Sequence, residues 1–255
     1  MIQRFILKIR RAETPFFRAL HNAGKAFLGN SLPLPRFVNP LLGLGYQLHH
    51  TVEMTLRWLL GYLYVEPLFR GRCISVGKHF RVCRMPFVMG HTEIRIGDDV
   101  NFFGKVDIIS GRIFDHPTLT IGNRVDLGHE VSFVVNKEII IEDDVNIATG
   151  VRFMDSDAHP RDAAARVADL PPSPEEIKPV RICRYSWIGQ SSLILKGVTV
   201  GEGAIVGVNS VVVADVPAYS VVMGNPARVV MKNTQKQGDP QPGPAVESRS
   251  DGLTR

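Results

Sequence analysis

The sequence predicts an all-β solenoid of about six coils, with a helical appendage before it and a disordered tail after it. The first observation behind this is a strict period. From Val180 to Val216 an aliphatic residue returns every sixth position, at Ile182, Ile188, Ile194, Val200, Val206 and Val212. A helix repeats near 3.6 and a strand near 2, so a period of six calls for short straight strands joined by bends, three repeats to a coil. The second observation is that the register extends backwards through Ile141, Ile147 and Phe153, then Ile121, Leu127 and Phe133, then Ile96, Phe102 and Ile108, and more weakly Val76, Val82 and Val88. The third is that a small or branched residue recurs four places after the anchors, at Val100, Val125, Val145, Ser186, Ser192, Ala204 and Ser210, as a tightly filled interior corner requires. Glycine or an acidic residue follows many anchors directly, at Gly97, Gly122, Glu142, Gly189, Gly201 and Gly207, which reads as a bend with unusual backbone angles.

Residues 1–71 form the appendage. Apolar and basic groups alternate at helical spacing over residues 1–28, with Phe5, Ile9, Phe16, Phe17 and Leu20 as a stripe and Pro15 as an interruption. Asn30 to Pro40 is a proline-broken connector. Gln47 to Tyr64 reads as a second helix through Val52, Leu56, Leu59, Leu60 and Leu63. Residues 1–72 hold ten Lys and Arg against Glu13, Glu53 and Glu66, a local +7 in a chain whose total is +5. Two readings fit these helices. Either they cover the open first coil, or they make peripheral contact with the anionic inner face of a membrane through residues 1–72.

Arg4, Lys8, Arg10, Arg11 and Arg18 interrupt the apolar residues of the N-terminus, so no secretory signal is read there. Phe37 to Val52 is too short to span a bilayer. Cys73, Cys83 and Cys183 lack metal spacing and are odd in number, which suits a reducing compartment, with the cytoplasm as the default. No recognised nucleic-acid module accompanies the basic patch, so nucleic acid is not expected as a partner.

The solenoid domain covers residues 72–232, with small insertions at Gly111 to Pro117 and Asn136-Lys137 and one long excursion at residues 154–179, where MDSDAHPRDAAARVADLPPSPEEIKP abandons the six-residue register. An interruption this long within a regular repeat marks a functional loop. Near its start stands His159, a residue type whose imidazole can accept a hydroxyl proton. Asp155 or Asp157 is the carboxylate that would orient the ring. The remaining histidines read as structural. After Val212 the chain leaves the repeat and folds back or reaches a neighbouring subunit, and residues 233–255, polar and rich in Pro and Gly, read as disordered.

The strings Trp187-Ile188-Gly189, Lys196-Gly197-Val198-Thr199 and Gly224-Asn225-Pro226-Ala227-Arg228, set in these repeats, resemble the hexapeptide-repeat acyltransferases over residues 76–232. His159-Pro160 through Arg166 resembles the loop of maltose and galactoside acetyltransferases that holds the catalytic histidine. The resemblance implies a left-handed parallel β-helix, an exception to right-handed crossovers. It also implies acetyl-CoA-dependent O-acetylation of a sugar hydroxyl in glycan, exopolysaccharide or cell-envelope biosynthesis, by a homotrimer with sites between protomers. Carried over residue by residue, His159 is the base, the Gln190 backbone N–H an oxyanion donor, and Arg228 and Lys232 contacts for the coenzyme A phosphates. Val208 stands where alanine is usual and narrows the groove. Asn136 takes the place of an acceptor-contacting acidic residue. Zinc-binding relatives need a second histidine five places after the first, and position 164 is alanine here, so no metal is expected. N-acetylation of an aminosugar or nucleotide sugar, and a non-catalytic scaffold, are the alternatives.

Overall fold

The structure is a computed structural model describing residues 2–29 and 34–232. The tail expected to be disordered, residues 233–255, lies outside the described residues. The chain divides into two compact units, Met1–Met54 and Thr55–Arg255.

The second unit is the solenoid. Its strands form three parallel faces, each receiving one strand per coil. Ser75–Val76, Glu93–Ile96, Thr118–Ile121, Glu138–Ile141, Val180–Ile182 and Thr199–Val200 make the first face. The second face begins at Arg81–Val82 and continues through Asn101–Phe102, Asp126–Leu127, Asn146–Ile147, Trp187–Ile188 and Ile205–Val206. Phe87–Met89, Val106–Ile109, Val131–Val134, Arg152–Met154, Leu193–Ile194 and Val211–Val212 build the third. Six coils result, matching the six sets of three anchors read in the sequence.

Each anchor sits in register on the anchor of the next coil, as with Ile141 on Ile182, Ile147 on Ile188 and Phe153 on Ile194. Ile182, Ile188, Ile194, Val200, Val206 and Val212 are all buried, and the rows continue through Phe133 and Phe153, whose rings stack 5.1 Å apart. Stacking identical shapes lets one apolar column run the length of the solenoid without voids. The corner residues Val100, Val125, Val145, Ser186, Ser192, Ala204 and Ser210 are buried as well. Buried hydroxyls need partners, and here they find backbone ones: Ser186 Oγ donates to the Cys183 and Gly201 carbonyls, and Ser192 Oγ to that of Gly207.

The bends differ from the sequence reading in one respect. Left-handed backbone angles fall on the third residue after an anchor, at Asp99, Arg124, Asp144, Tyr185, Ser191 and Asn209, and more often on such residues than on glycine. The glycines directly after anchors serve close approach instead. A Cβ at Gly189 would lie 2.6 Å from the Val206 carbonyl oxygen, and one at Gly201 would lie 2.5 Å from the Ala218 nitrogen. These positions stay bare because the next coil is in the way.

After Val212 the chain makes a partial further turn. Val216 bridges to Val200, Ser220–Gly224 extends the second face in parallel, and Ala227–Lys232 returns against it as an antiparallel hairpin. The fold-back reading of this segment is the one observed.

Helices occupy the N-terminal part. α1 (Ile2–Arg11) and α2 (Pro15–Gly29) are separate, with Pro15 opening α2, where its missing N–H costs nothing. Thr14 Oγ1 accepts from the Phe17 N–H at the head of α2, and the Phe5 and Phe17 rings meet edge to face at 5.7 Å. α3 runs over Asn39–Leu60, eight residues earlier than Gln47. Pro40 is tolerated in its first turn, and Gly43 and Gly45 do not break it. A π-type turn over Gly61–Val65 then leads into α4 (Glu66–Arg72).

The stretch that belongs to the solenoid unit closes its first coil. Gly61, Val65 and Phe69 are buried, Phe69 packs 6.0 Å from Phe80 and 6.1 Å from Phe102, and Arg70 Nη1 donates to the Val76 carbonyl at 2.7 Å. The expected appendage of residues 1–71 is therefore split, since residues 55–71 belong to the solenoid unit and Gly61, Val65 and Phe69 are buried there.

Ile188 has neighbours above and below in its row and no polar partner. Ile188→Asp is expected to cost at least about 4 kcal/mol and to abolish the cooperative thermal transition, read by circular dichroism.

Candidate active site

The excursion leaves the turn from the third face to the first, after Arg152–Met154, and returns at Val180. It carries the short helix α5 (Ala163–Val167), capped by Asp162, whose side chain accepts from the Ala165 N–H, and a 3₁₀ turn over Pro174–Glu176. Between the loop and the same turn of the preceding coils lies a cleft of about 430 Å³, walled by Gly90, His91, Ser110, Gly111, Arg112, Ile113 and Asn136 on the solenoid and by Ala158, His159 and residues 169–172 on the loop. Two of the residues singled out in the sequence, His159 and Asn136, are thus brought to one place.

Asp155 anchors this arrangement. Its buried carboxylate accepts from the Asn136 N–H at 2.8 Å, from Lys137 N–H at 2.6 Å and from Glu138 N–H at 3.0 Å. Three successive amides of one coil's turn close on one carboxylate from the next. Burial pushes the Asp155 carboxyl upward, and the backbone N–H groups of Lys137, Asn136 and Glu138 pull against that shift. Asn136 Nδ2 donates to Ser156 Oγ at 2.5 Å, and Ser156 Oγ in turn accepts from the Ala158 N–H at 3.2 Å. A Cβ on Gly111 would come within 2.0 Å of Asn136 Oδ1, so that oxygen keeps its place beside the cleft wall because residue 111 has no side chain.

The expectation that Asp155 or Asp157 orients the His159 ring is corrected. Asp155 is committed to backbone amides, and Asp157 Oδ2 pairs with Lys196 Nζ at 2.5 Å. His159 has no hydrogen bond to another of the described residues and is exposed. It is held instead through the chain on either side. Before it stand Ser156 and Ala158. After it, Arg166 Nη1 donates to the Pro160 carbonyl at 3.0 Å and to that of Arg161 at 2.6 Å. Across the cleft Arg112 Nη2 donates to the Asp169 carbonyl at 2.6 Å, tying the loop to the solenoid.

Sequence reasoning missed Ser156, Arg112 and the part played by Arg166. Arg166 stands on α5, six and five residues after the carbonyls it reaches, and no periodic pattern in the sequence marks that contact.

The remaining predicted residues lie elsewhere on the solenoid. Gln190 and Val208 occupy successive coils at the turn from the second face to the third, linked by the Asn209 N–H donating to the Gln190 carbonyl at 2.9 Å. Both are exposed, and neither backbone N–H is used within the described residues. Arg228 and Lys232 are exposed on the closing hairpin, which continues the second face. In one chain, therefore, the histidine and the two open amides belong to different corners of the solenoid. Among the described residues no group of three or more His, Cys, Asp or Glu could hold a metal ion.

No family model matches the chain. A Saccharomyces cerevisiae protein provisionally named an acetyltransferase is 33% identical over 116 residues, covering 46% of this chain and 57% of that protein. A Bacillus pumilus serine acetyltransferase is 31% identical over 135 residues, covering 53% of this chain and 52% of that one. The chain thus spans little more than half the length of these curated relatives. Among solved structures, a point mutant of AntD, an N-acyltransferase from Bacillus cereus, in complex with dTDP-4-amino-4,6-dideoxyglucose and coenzyme A, shares the fold with a TM-score of 0.50 at 19% identity, over 67% of this chain and 90% of that one. The chain is thus similar in sequence to proteins named as acetyltransferases and shares its three-faced solenoid fold with an N-acyltransferase.

Proposed function

We propose that the protein is an acetyl-CoA-dependent O-acetyltransferase acting on a sugar hydroxyl of a glycan, exopolysaccharide or cell-envelope precursor, with His159 as general base. The observation that carries this reading is the cleft in which an exposed histidine, held on both sides by its own loop, faces a wall of polar groups including Asn136. The acetyltransferase relatives supply the reaction class, while the amino sugar nucleotide in the Bacillus cereus structure bears on the N-acetylation alternative. Acetyl-CoA enters as a substrate, and the cytoplasm supplies it.

In this reading neutral His159 takes the proton from the acceptor hydroxyl as its oxygen attacks the thioester carbonyl. The oxyanion is stabilised by the open Gln190 N–H, and the C–S bond then breaks as the histidine returns its proton to the departing thiolate. Asn136 Oδ1 accepts a hydrogen bond from the acceptor. Val208 borders the pantetheine arm, and Arg228 and Lys232 meet the phosphates of coenzyme A.

His159 and Gln190 occupy different corners of one chain, so a second copy must bring its own corner alongside. This supports a homotrimer of left-handed solenoids with sites between protomers. The O-transfer reading is tested by incubating purified protein with acetyl-CoA and panels of hydroxyl-only and amino sugars while following free thiol. Transfer confined to amino sugars would replace it with N-acetylation.

His159→Ala is expected to keep the thermal midpoint and acetyl-CoA binding and to lower kcat roughly 100- to 10,000-fold, the usual worth of general-base assistance. His129→Ala should leave kcat unchanged. Retention of half the parental rate by His159→Ala in single turnover would refute the role. Asp155→Asn turns an amide NH₂ toward backbone donors, and is expected to cost about 1–3 kcal/mol of stability. Its kcat should fall while calorimetric acetyl-CoA affinity holds, because the loop and not the donor groove is loosened.

A further inference from the structure

α3 is a helix of 22 residues with no buried residue. Leu41, Leu44, Leu48, Val52, Leu56 and Leu59 follow one another at spacings of three or four along it, which places them on one face. All six are exposed, by 37% to 68%. His50, Glu53 and Arg57 fall on the opposite face. Helices in proteins draw most of their stability from packing such a stripe, and a soluble surface rarely leaves one this long in water. At the C-terminal end of α3 Trp58 stacks with Tyr62 at 5.9 Å with their planes 4° apart, both exposed, a pairing of amphipathic rings suited to a lipid headgroup layer.

We infer that α3 is an interfacial helix that lies in the surface of an anionic bilayer with this leucine stripe toward the acyl chains. Charge selects the occupant. Residues 1–72 carry +7, and α1 ends in Lys8, Arg10 and Arg11 next to exposed Phe5, Ile6 and Leu7. Such a segment repels a second copy of itself and is attracted to anionic headgroups, each basic residue near the surface adding to the attraction. No helix among the described residues is long and apolar enough to cross a membrane, so the helix rests on the bilayer and does not span it. The inference is independent of the acetyl-transfer reading, since it uses no residue of the cleft.

The test is flotation of the full chain with vesicles of phosphatidylcholine alone and of phosphatidylcholine mixed with phosphatidylglycerol. The parent should float with the mixed vesicles at low salt, release as salt rises, and stay largely unbound to phosphatidylcholine. Leu41→Gln with Leu48→Gln should lower partitioning roughly tenfold or more, since two buried leucines are lost. Arg10→Glu with Arg11→Glu should remove the preference for the anionic vesicles. Unchanged circular dichroism certifies each variant's fold, and if the leucine variant misfolds, the arginine variant and the salt titration decide the matter. Equal binding to both vesicle types, no binding to either, or full binding by a folded leucine variant would overturn the inference. So would a drop in oligomer mass for that variant without lipid, which would assign the stripe to a second copy.

Discussion

The in-register stacking of one aliphatic residue upon another, coil after coil, is the constraint on which the rest depends. Each coil buries its anchors only because the next coil presents the same shape at the same height. Backbone hydrogen bonds between coils and apolar contact along the column are therefore one condition met together. Such a column is open at its ends. The chain closes one with Phe69 against Phe80 and Phe102, and the other with the hairpin of Ser220–Gly224 and Ala227–Lys232.

A rigid column also offers a place to hang a loop. The excursion is inserted between two coils without disturbing their register, since Ile141 still stacks on Ile182 across it. Its first residues are fixed by Asp155 on three backbone amides of the preceding coil and by Asp157 on Lys196 of the following one, so the histidine is held by the scaffold although its own ring is exposed. Burial raises the thiols of Cys73, to about 11, and of Cys183, which disfavours the thiolate form at both.

Most of the fold was legible in the sequence because a period of six at Ile182 to Val212 admits few structures. The left-handed corner residues were not, since Asp99, Arg124, Tyr185 and Asn209 share no side-chain chemistry, and only their distance from the anchor identifies them. The glycines misled for a related reason, as close approach of the next coil leaves the same mark as a strained angle. In the candidate site, His159 stood out because the register breaks there. The duty of Asp155 did not, because its partners are backbone amides some eighteen residues away that only the coil spacing brings near. The start of α3 was placed too late because Pro40 read as part of a broken connector, whereas a first-turn proline is harmless, and Gly43 and Gly45 weaken the helix without ending it.

The central claim is that a histidine on one corner of the solenoid works with an open amide on another, contributed by a second copy. The most direct measurement is activity of mixed oligomers purified through two different tags, one copy carrying His159→Ala and the other Gln190→Pro, which removes the N–H. Each variant alone should be nearly inactive, and the mixed oligomer should recover activity well above either, because one of its interfaces joins an intact histidine to an intact amide. Mixed oligomers no more active than the two parents, with both variants folded and binding acetyl-CoA, would contradict the account.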